Sequence, residues 1–403
     1  WGSQGSFSTE NNASNYLLYE GNDGHGDDLG GSMSISGNYL LVGARVDHGG
    51  SFGPVNGGTV RIYRKELNTW SDKVWYPLKA PSPMLHESFG TSVWIEGSNF
   101  IVGGPGANSS KGRAYIYTFG AAFGFPELNA TLQLADEIAG DAFGTSVSIS
   151  GNFAVVGAPY RDVSGKIALG RASTFQRHPI TGIWGIMHHL TAPDGEVTDL
   201  FGKRVTISGN MLAVSAPQAD INGVSNSGRV YIYTRNANTW TMTDSITAPV
   251  NKPNQKFGET LMMKGDTLIV GATEYALTDT DGTGTVYVYL RNGTNWDLQG
   301  VINSSDGKIA DEFGKSVHLN NGSLIVGAFG ASRSHLFRAG KAYIYKLSGN
   351  LWTEQAILAA SQPTENDFFG SSVAIADSMA VVGAPRAPVL QNINNGRVYF
   401  FHK

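Results

Sequence analysis

A phrase that recurs seven times constrains this chain more than any other feature. In its fullest form it reads FGTSVSISGNFAVVGAP, from Phe143 to Pro159. The Phe-Gly pair returns at Phe89, Phe201, Phe257, Phe313 and Phe369, with Leu29-Gly30 as a weaker first copy. Successive copies lie 60, 54, 58, 56, 56 and 56 residues apart. A steady period above about fifty residues points to propeller blades rather than the shorter turns of a solenoid.

Each unit divides in the same way. A short alternating strand, as at 145–150, meets a turn of the Ser-Gly-Asn type, as at 36–38, 150–152 and 208–210. Glycine and asparagine tolerate the positive φ angles of tight hairpins. A second strand, as at 154–156, ends in Gly-Ala or Gly-Ala-Pro, and proline cannot extend the ladder. In the third strand, as at 230–233, Val and Ile alternate with Tyr. Both of its faces are bulky, as in a sheet packed on both sides. A fourth strand begins near Trp184, Trp240, Trp296 or Trp352, each 17 residues before the next Phe-Gly. Helical periodicity is nowhere sustained.

The pattern predicts an all-β chain: a seven-bladed β-propeller of four-stranded antiparallel blades. Residues 1–403 form one domain, with blade registers starting near 29, 89, 143, 201, 257, 313 and 369. The last unit holds only three strands. Residues 1–24, through a strand around 12–19, should complete blade seven and leave no open edge.

Composition narrows the partners. Only 15% of residues are charged and the net charge is −4, so no nucleic-acid partner is expected. Apolar runs such as 153–156 are too short to span a bilayer, and no membrane insertion is expected. The absence of cysteine excludes disulfides, thiolate metal sites and cysteine nucleophiles. The Gly/Ser/Thr/Asn-rich make-up leans toward a secreted or surface protein.

Signs of catalysis are missing. The nine histidines are scattered, and His188 and His189 on a predicted outer strand point to opposite faces. There is no His-Glu-x-x-His, nucleophile elbow or phosphate-binding glycine loop. One further feature nearly repeats. Two residues before each Phe-Gly register stand Asp27, Glu87, Asp141, Asp199, Gln255, Asp311 and Asp367. Such a side chain can accept backbone N–H groups at the turn into strand one. It can also form an acidic collar that attracts a cation. Repetition favours the first.

The whole chain resembles the FG-GAP repeat of the seven-bladed propeller that heads integrin α subunits. Phe143-Gly144 with Gly157-Ala158-Pro159, and Phe369-Gly370 with Gly383-Ala384-Pro385, carry the resemblance most fully. The short first turn and the "GRVYIY" strand bring it nearest to FG-GAP proteins of microbial surfaces and secretions. Integrin blades hold calcium in a loop between strands one and two. Here that loop is a Ser-Gly-Asn turn, with too few oxygens for Ca²⁺. Asp279–Gly284 and Asp23–Asp28 imitate such a loop and read as Asx-rich turns. No metal and no cofactor are expected.

What repeats builds the blades, so function belongs to what varies. Loops after Gly-Ala-Pro and before Phe-Gly share one face, the top; the short Ser-Gly-Asn turns share the bottom. The top loops supply the candidate ligand contacts Arg45, Asp47, His48, Tyr160, Arg161, Asp162, Glu274, Tyr275, Arg333, His335, Phe337, Arg338, Arg386 and Asn392. Mixed Arg, aromatic and acidic side chains suit a binding rim. The leading reading is a non-enzymatic extracellular propeller for recognition or adhesion. It would bind a protein or glycan through the top face, above all around blades six, seven and one. A structural subunit of a surface assembly, with self-association, is the alternative. A carbohydrate-active enzyme comes third.

Overall fold

The structure, a computed structural model, describes residues 16–18, 26–47, 54–66, 69–70, 75–120, 124–273, 282–333, 335–388 and 395–402. Within them the strands form seven antiparallel sheets. Blade four shows the plan: Val205–Ser208, Met211–Ala216, Arg229–Asn236 and Thr239–Ile246 pair in chain order. Blade seven takes Ser372–Ala376, Met379–Ala384 and Arg397–His402 from the C-terminal end. Its fourth strand is Tyr16–Leu18, with Tyr16 opposite Phe400 and Leu18 opposite Val398. The N-terminal strand thus closes the ring. Blade one departs from the plan, since Thr69–Trp70 and Tyr76–Leu78 share its outer position.

Each first strand packs on the first strands of both neighbours, and Ser372–Ala376 packs on Leu29–Ser36. These strands are therefore the innermost ring around a central channel. Outer strands such as Thr239–Ile246 meet their neighbours far less.

The core lies between the blades. Along Arg229–Asn236, Tyr231 and Tyr233 enter the cluster shared with blade three, while Val230 and Ile232 enter the one shared with blade five. A period of two on a sheet covered on both faces produces this division. Phe201 is fully buried and meets Tyr231 edge-on, 5.4 Å between ring centres. The same pair recurs as Phe313 with Tyr343 and Phe369 with Tyr399.

The two ends of the repeated phrase meet across a blade junction. Gly202 has φ +89°, a backbone state that glycine reaches without steric cost. Its carbonyl turns onto Gly157 of the preceding blade, where a Cβ would sit 2.0 Å from that oxygen. Gly383 and Gly30 make the same approach at the closing seam. A serine bridges most of these junctions. Ser146 Oγ donates to the Gly202 carbonyl at 2.8 Å, and Ser372 Oγ donates to the Gly30 carbonyl at 2.6 Å. In blade four Arg204 holds this position, and its Nε donates to the Glu259 carbonyl at 3.0 Å.

Inner strands also present an unpaired edge to the channel, a row of N–H groups needing acceptors. Side chains of the preceding blade supply them. Ser34 accepts the Ile95 N–H, Ser148 that of Ile207 and Thr206 that of Met263. Two residues on, Ser36, Ser150 and Ser208 accept the N–H groups of Gly97, Gly209 and Gly265.

Candidate functional site

The top-face loops divide into residues that hold the loops and residues left facing solvent. Asp47 is 2% exposed and accepts Thr59 Oγ1 and an Arg61 nitrogen, each at 2.6 Å. Arg161 pairs with Asp141 at 2.6 Å and Asp136 at 3.3 Å. Asp162 accepts the Ala168 N–H at 2.9 Å and shapes its own loop. Arg45 pairs with Asp28 at 2.8 Å yet stays half exposed. Arg333 donates to the Ala360 carbonyl at 2.8 Å. Tyr160 is exposed, with Lys203 Nζ 5.7 Å from its ring centre. His335 is exposed as well. His48, Glu274, Tyr275 and Asn392 lie outside the described residues.

Blades six and seven bring several of the remainder together. The Arg386 guanidinium stands 4.9 Å from the Phe368 ring centre, and that of Arg338 stands 6.0 Å from it. Arg338 also lies 5.2 Å from the ring of Phe337, which is 56% exposed. Phe329 meets Phe368 edge-on at 5.2 Å, with Lys315 Nζ 5.3 Å from the Phe329 ring. Lys315 reaches back to Glu259 at 3.0 Å. Burial pushes the Glu259 pKa up, but Lys315, Arg204 and Lys203 outweigh it and hold the carboxyl at about 2.

Backbone geometry places Phe368 there. The residue before each register position has positive φ in all seven blades, from 52° at Glu312 to 60° at Leu200. The register dictates the twist but leaves the side chain free. Blades one to six use Asp28, Ser88, Ala142, Leu200, Lys256 and Glu312, whereas blade seven spends the position on a phenylalanine.

The acidic residues two places before the register are buried, and those of blades two, three, four, six and seven serve the turn. Asp311 Oδ2 accepts the Lys308 N–H at 2.9 Å, and Asp199 Oδ2 accepts that of Glu196 at 2.8 Å. Gln255 does the same for Lys252 without a charge. Burial raises the pKa of Glu87, Asp199, Asp311 and Asp367.

The bottom face is less plain than its turns suggest. At the bottom mouth of the channel lies a cavity of about 200 Å³. Lys264, assigned by its turn to the plain face, stands on its rim with Glu96 and Asn320. Trp94, Met262 and His318 line it more deeply. These occupy the inner-strand position that Ser34, Ser148 and Thr206 hold elsewhere. Trp94 packs on both the blade two–three cluster and the blade five–six cluster, so its indole spans the channel. Aligning the seven registers and reading down that one position would have singled out all three residues. A second bottom-side feature is aromatic: Trp75 stacks on Phe125 at 5.2 Å, with Arg64 5.2 Å from the Trp75 ring centre.

Among the described residues, no group of three or more His, Asp or Glu side chains could hold a metal ion. Asp279–Asp281 and Asp23–His25 of the two Asx-rich stretches lie outside the described residues. Asp28 serves Arg45.

Sequence and fold comparisons agree with this architecture. The model of the FG-GAP repeat matches residues 127–175, 184–233, 240–289, 296–345 and 352–401. Each match runs from the outer strand of one blade through the third strand of the next, and together they cover more than half of the chain. No curated protein matches the sequence significantly. Among solved structures, the chain is similar to a protein provisionally named a 6-phosphogluconolactonase, from Bacteroides uniformis. Identity is 11% and the TM-score 0.55, over 83% of this chain and 86% of that one. It is also similar to Sqt1 of Saccharomyces cerevisiae, at 9% identity and a TM-score of 0.48, over 90% and 81%. At such identities the first likeness speaks to fold alone. The chain belongs to the FG-GAP repeat family, and its fold fits a ligand-binding or structural role.

Proposed function

We propose that this protein is a non-enzymatic recognition propeller. It works outside the cell and binds a protein or glycan ligand through the top face at blades six and seven. The cation–aromatic cluster around Phe368 carries this reading. It departs from the repeat at a position that the backbone leaves free. Arginine and aromatic side chains together dominate interface hot spots, and a cation over a ring gains up to about 2 kcal/mol when desolvated. Arg338, Arg386 and Lys315 also favour a ligand that carries negative charge. FG-GAP repeats are typical of extracellular and surface proteins, which supports the location. No helix among the described residues is long and apolar enough to cross a membrane.

Screening the pure protein on glycan arrays and on surface-protein extracts should yield a ligand whose binding weakens with salt. The double variant Arg338→Ala, Arg386→Ala should lose most of that binding while melting as the parent does. A ligand held equally well by both proteins would refute the assignment.

A structural subunit remains the second reading, favoured by one observation. Outer strands expose Ile186, Met242, Leu298, Val301 and Leu351, the side chains a self-associating rim would use. Light scattering that shows only monomers at high concentration would remove it.

A further inference from the structure

The cavity at the bottom mouth of the channel is built unlike a plain gap between strands. Its floor is apolar, from Trp94, Met262 and the aliphatic side chains beside them, and its rim is polar. Glu96 on blade two and Lys264 on blade five stand far apart around the ring. Each keeps capacity to spare. Glu96 accepts the Gly151 N–H and the Ser150 hydroxyl, and a carboxylate has about four acceptor sites. Lys264 Nζ donates to Asn320 Oδ1 at 2.7 Å and has two further hydrogens.

Two observations show polar groups without protein partners along the cavity wall. His318 is only 8% exposed, and its Nδ1 accepts the Ile375 N–H at 3.3 Å. The proton of the neutral ring therefore sits on Nε2, which meets no protein acceptor among the described residues. At the closing seam, Ala374 and Ala376 stand where most other blades place Ser, Thr, His or Glu acceptors. The Ile35 and Gly37 N–H groups, both on the cavity wall, so lack the partners that Ile95 and Gly97 have in blade two. Ile35 is buried, so leaving its N–H unpaired is costly, whereas the Gly37 N–H is exposed and open to a ligand or water. Closing the channel alone would call for an apolar side chain in place of His318.

From this geometry we infer a second binding site at the bottom mouth, for a single pyranose ring. The volume is below the roughly 300–1,000 Å³ of drug-sized pockets and matches about six waters. A pyranose has the matching two-sided character. Its C–H face lies on the apolar floor, and its hydroxyls, which both donate and accept, serve Glu96 on one side and Lys264, His318 and the blade-one N–H groups on the other. One cation and one anion on the rim suit a neutral ring. The site is separate from the top-face cluster and does not depend on it.

Titrating D-glucose, D-galactose, D-mannose and N-acetyl-D-glucosamine into the full chain tests this, with saturation-transfer NMR and tryptophan emission as readouts. At least one of them should bind and change the emission, and Trp94→Phe should remove the emission change. Glu96→Gln and Lys264→Met, both at the exposed rim, should each weaken binding by about tenfold. The Arg338→Ala, Arg386→Ala pair should leave it intact. Methyl glycosides divide the sources: binding of free sugar alone marks a free monosaccharide, and binding of both marks a glycan's terminal residue. No saturation transfer from any of the four at millimolar concentrations would overturn the site. So would binding that is untouched by both rim variants and by Trp94→Phe.

Discussion

Glu137 shows how far one residue's surroundings can move its chemistry. It is buried beside the Arg161–Asp136–Arg171 network, and burial pushes its carboxyl from 4.5 up to about 7. Below pH 4.5 the group is neutral whether the chain is folded or not. Between 4.5 and 7 the unfolded chain releases the proton while the folded chain keeps it, so ionisation favours unfolding. This contribution is complete at the acid end of the window and is lost as pH rises through 7. The gap is worth up to about 3 kcal/mol. Glu137→Gln removes the titration. Its melting temperature relative to the parent should therefore rise steadily from pH 4.5 to 7. Parallel curves across that range would show that the carboxyl titrates normally. The strand phrase itself also resolves at this scale. Its first glycine supplies a positive φ and its last leaves room for the next blade's carbonyl, so neither of the two does chemistry.

At the scale of the element, the turn into each inner strand needs an acceptor more than a charge. Blade five demonstrates this, since Gln255 holds the Lys252 N–H as its acidic counterparts hold theirs. Asp311→Asn should therefore melt within a few degrees of the parent. Asp311→Ala, which strands the Lys308 N–H, should cost about 1–3 kcal/mol. Thermal melts of the two variants decide between turn and collar: if Asn is as damaging as Ala, the charge itself matters. Strand order, the turn signals and the tryptophan starts were legible in the sequence, because each recurs at one register and repetition averages out local accident. Side-chain partners were not legible. Asp47 and Arg161 look like free loop charges until folding brings Arg61 and Asp141 to them. The channel residues escaped for the opposite reason. Trp94 and His318 sit inside the repeated phrase, where a reading that assigns repeats to structure passes over them.

The whole molecule is a ring, and its seams are not equal. Six junctions join blades that are consecutive in the chain, and the seventh joins its two ends. At that seam the inner strands share fewer side-chain hydrogen bonds among the described residues. Ser372 still reaches the Gly30 carbonyl, but Ala374 and Ala376 offer nothing to the Ile35 and Gly37 N–H groups. The outer closure by Tyr16–Leu18 on Val398–Phe400 must then carry a larger share of the seam. Removing it would bare the third strand of blade seven, Arg397–His402, as an open edge with unpaired N–H and C=O groups. Blades stabilise one another through their neighbours, so weakness there spreads around the ring. A chain that lacks residues 1–24 should fold poorly, melt well below the full chain and aggregate through that edge. Thermal melts with size-exclusion chromatography measure all three. A truncated protein that stays monomeric and melts with the full chain would mean that the inner contacts at Gly30 and Gly383 hold the ring closed by themselves.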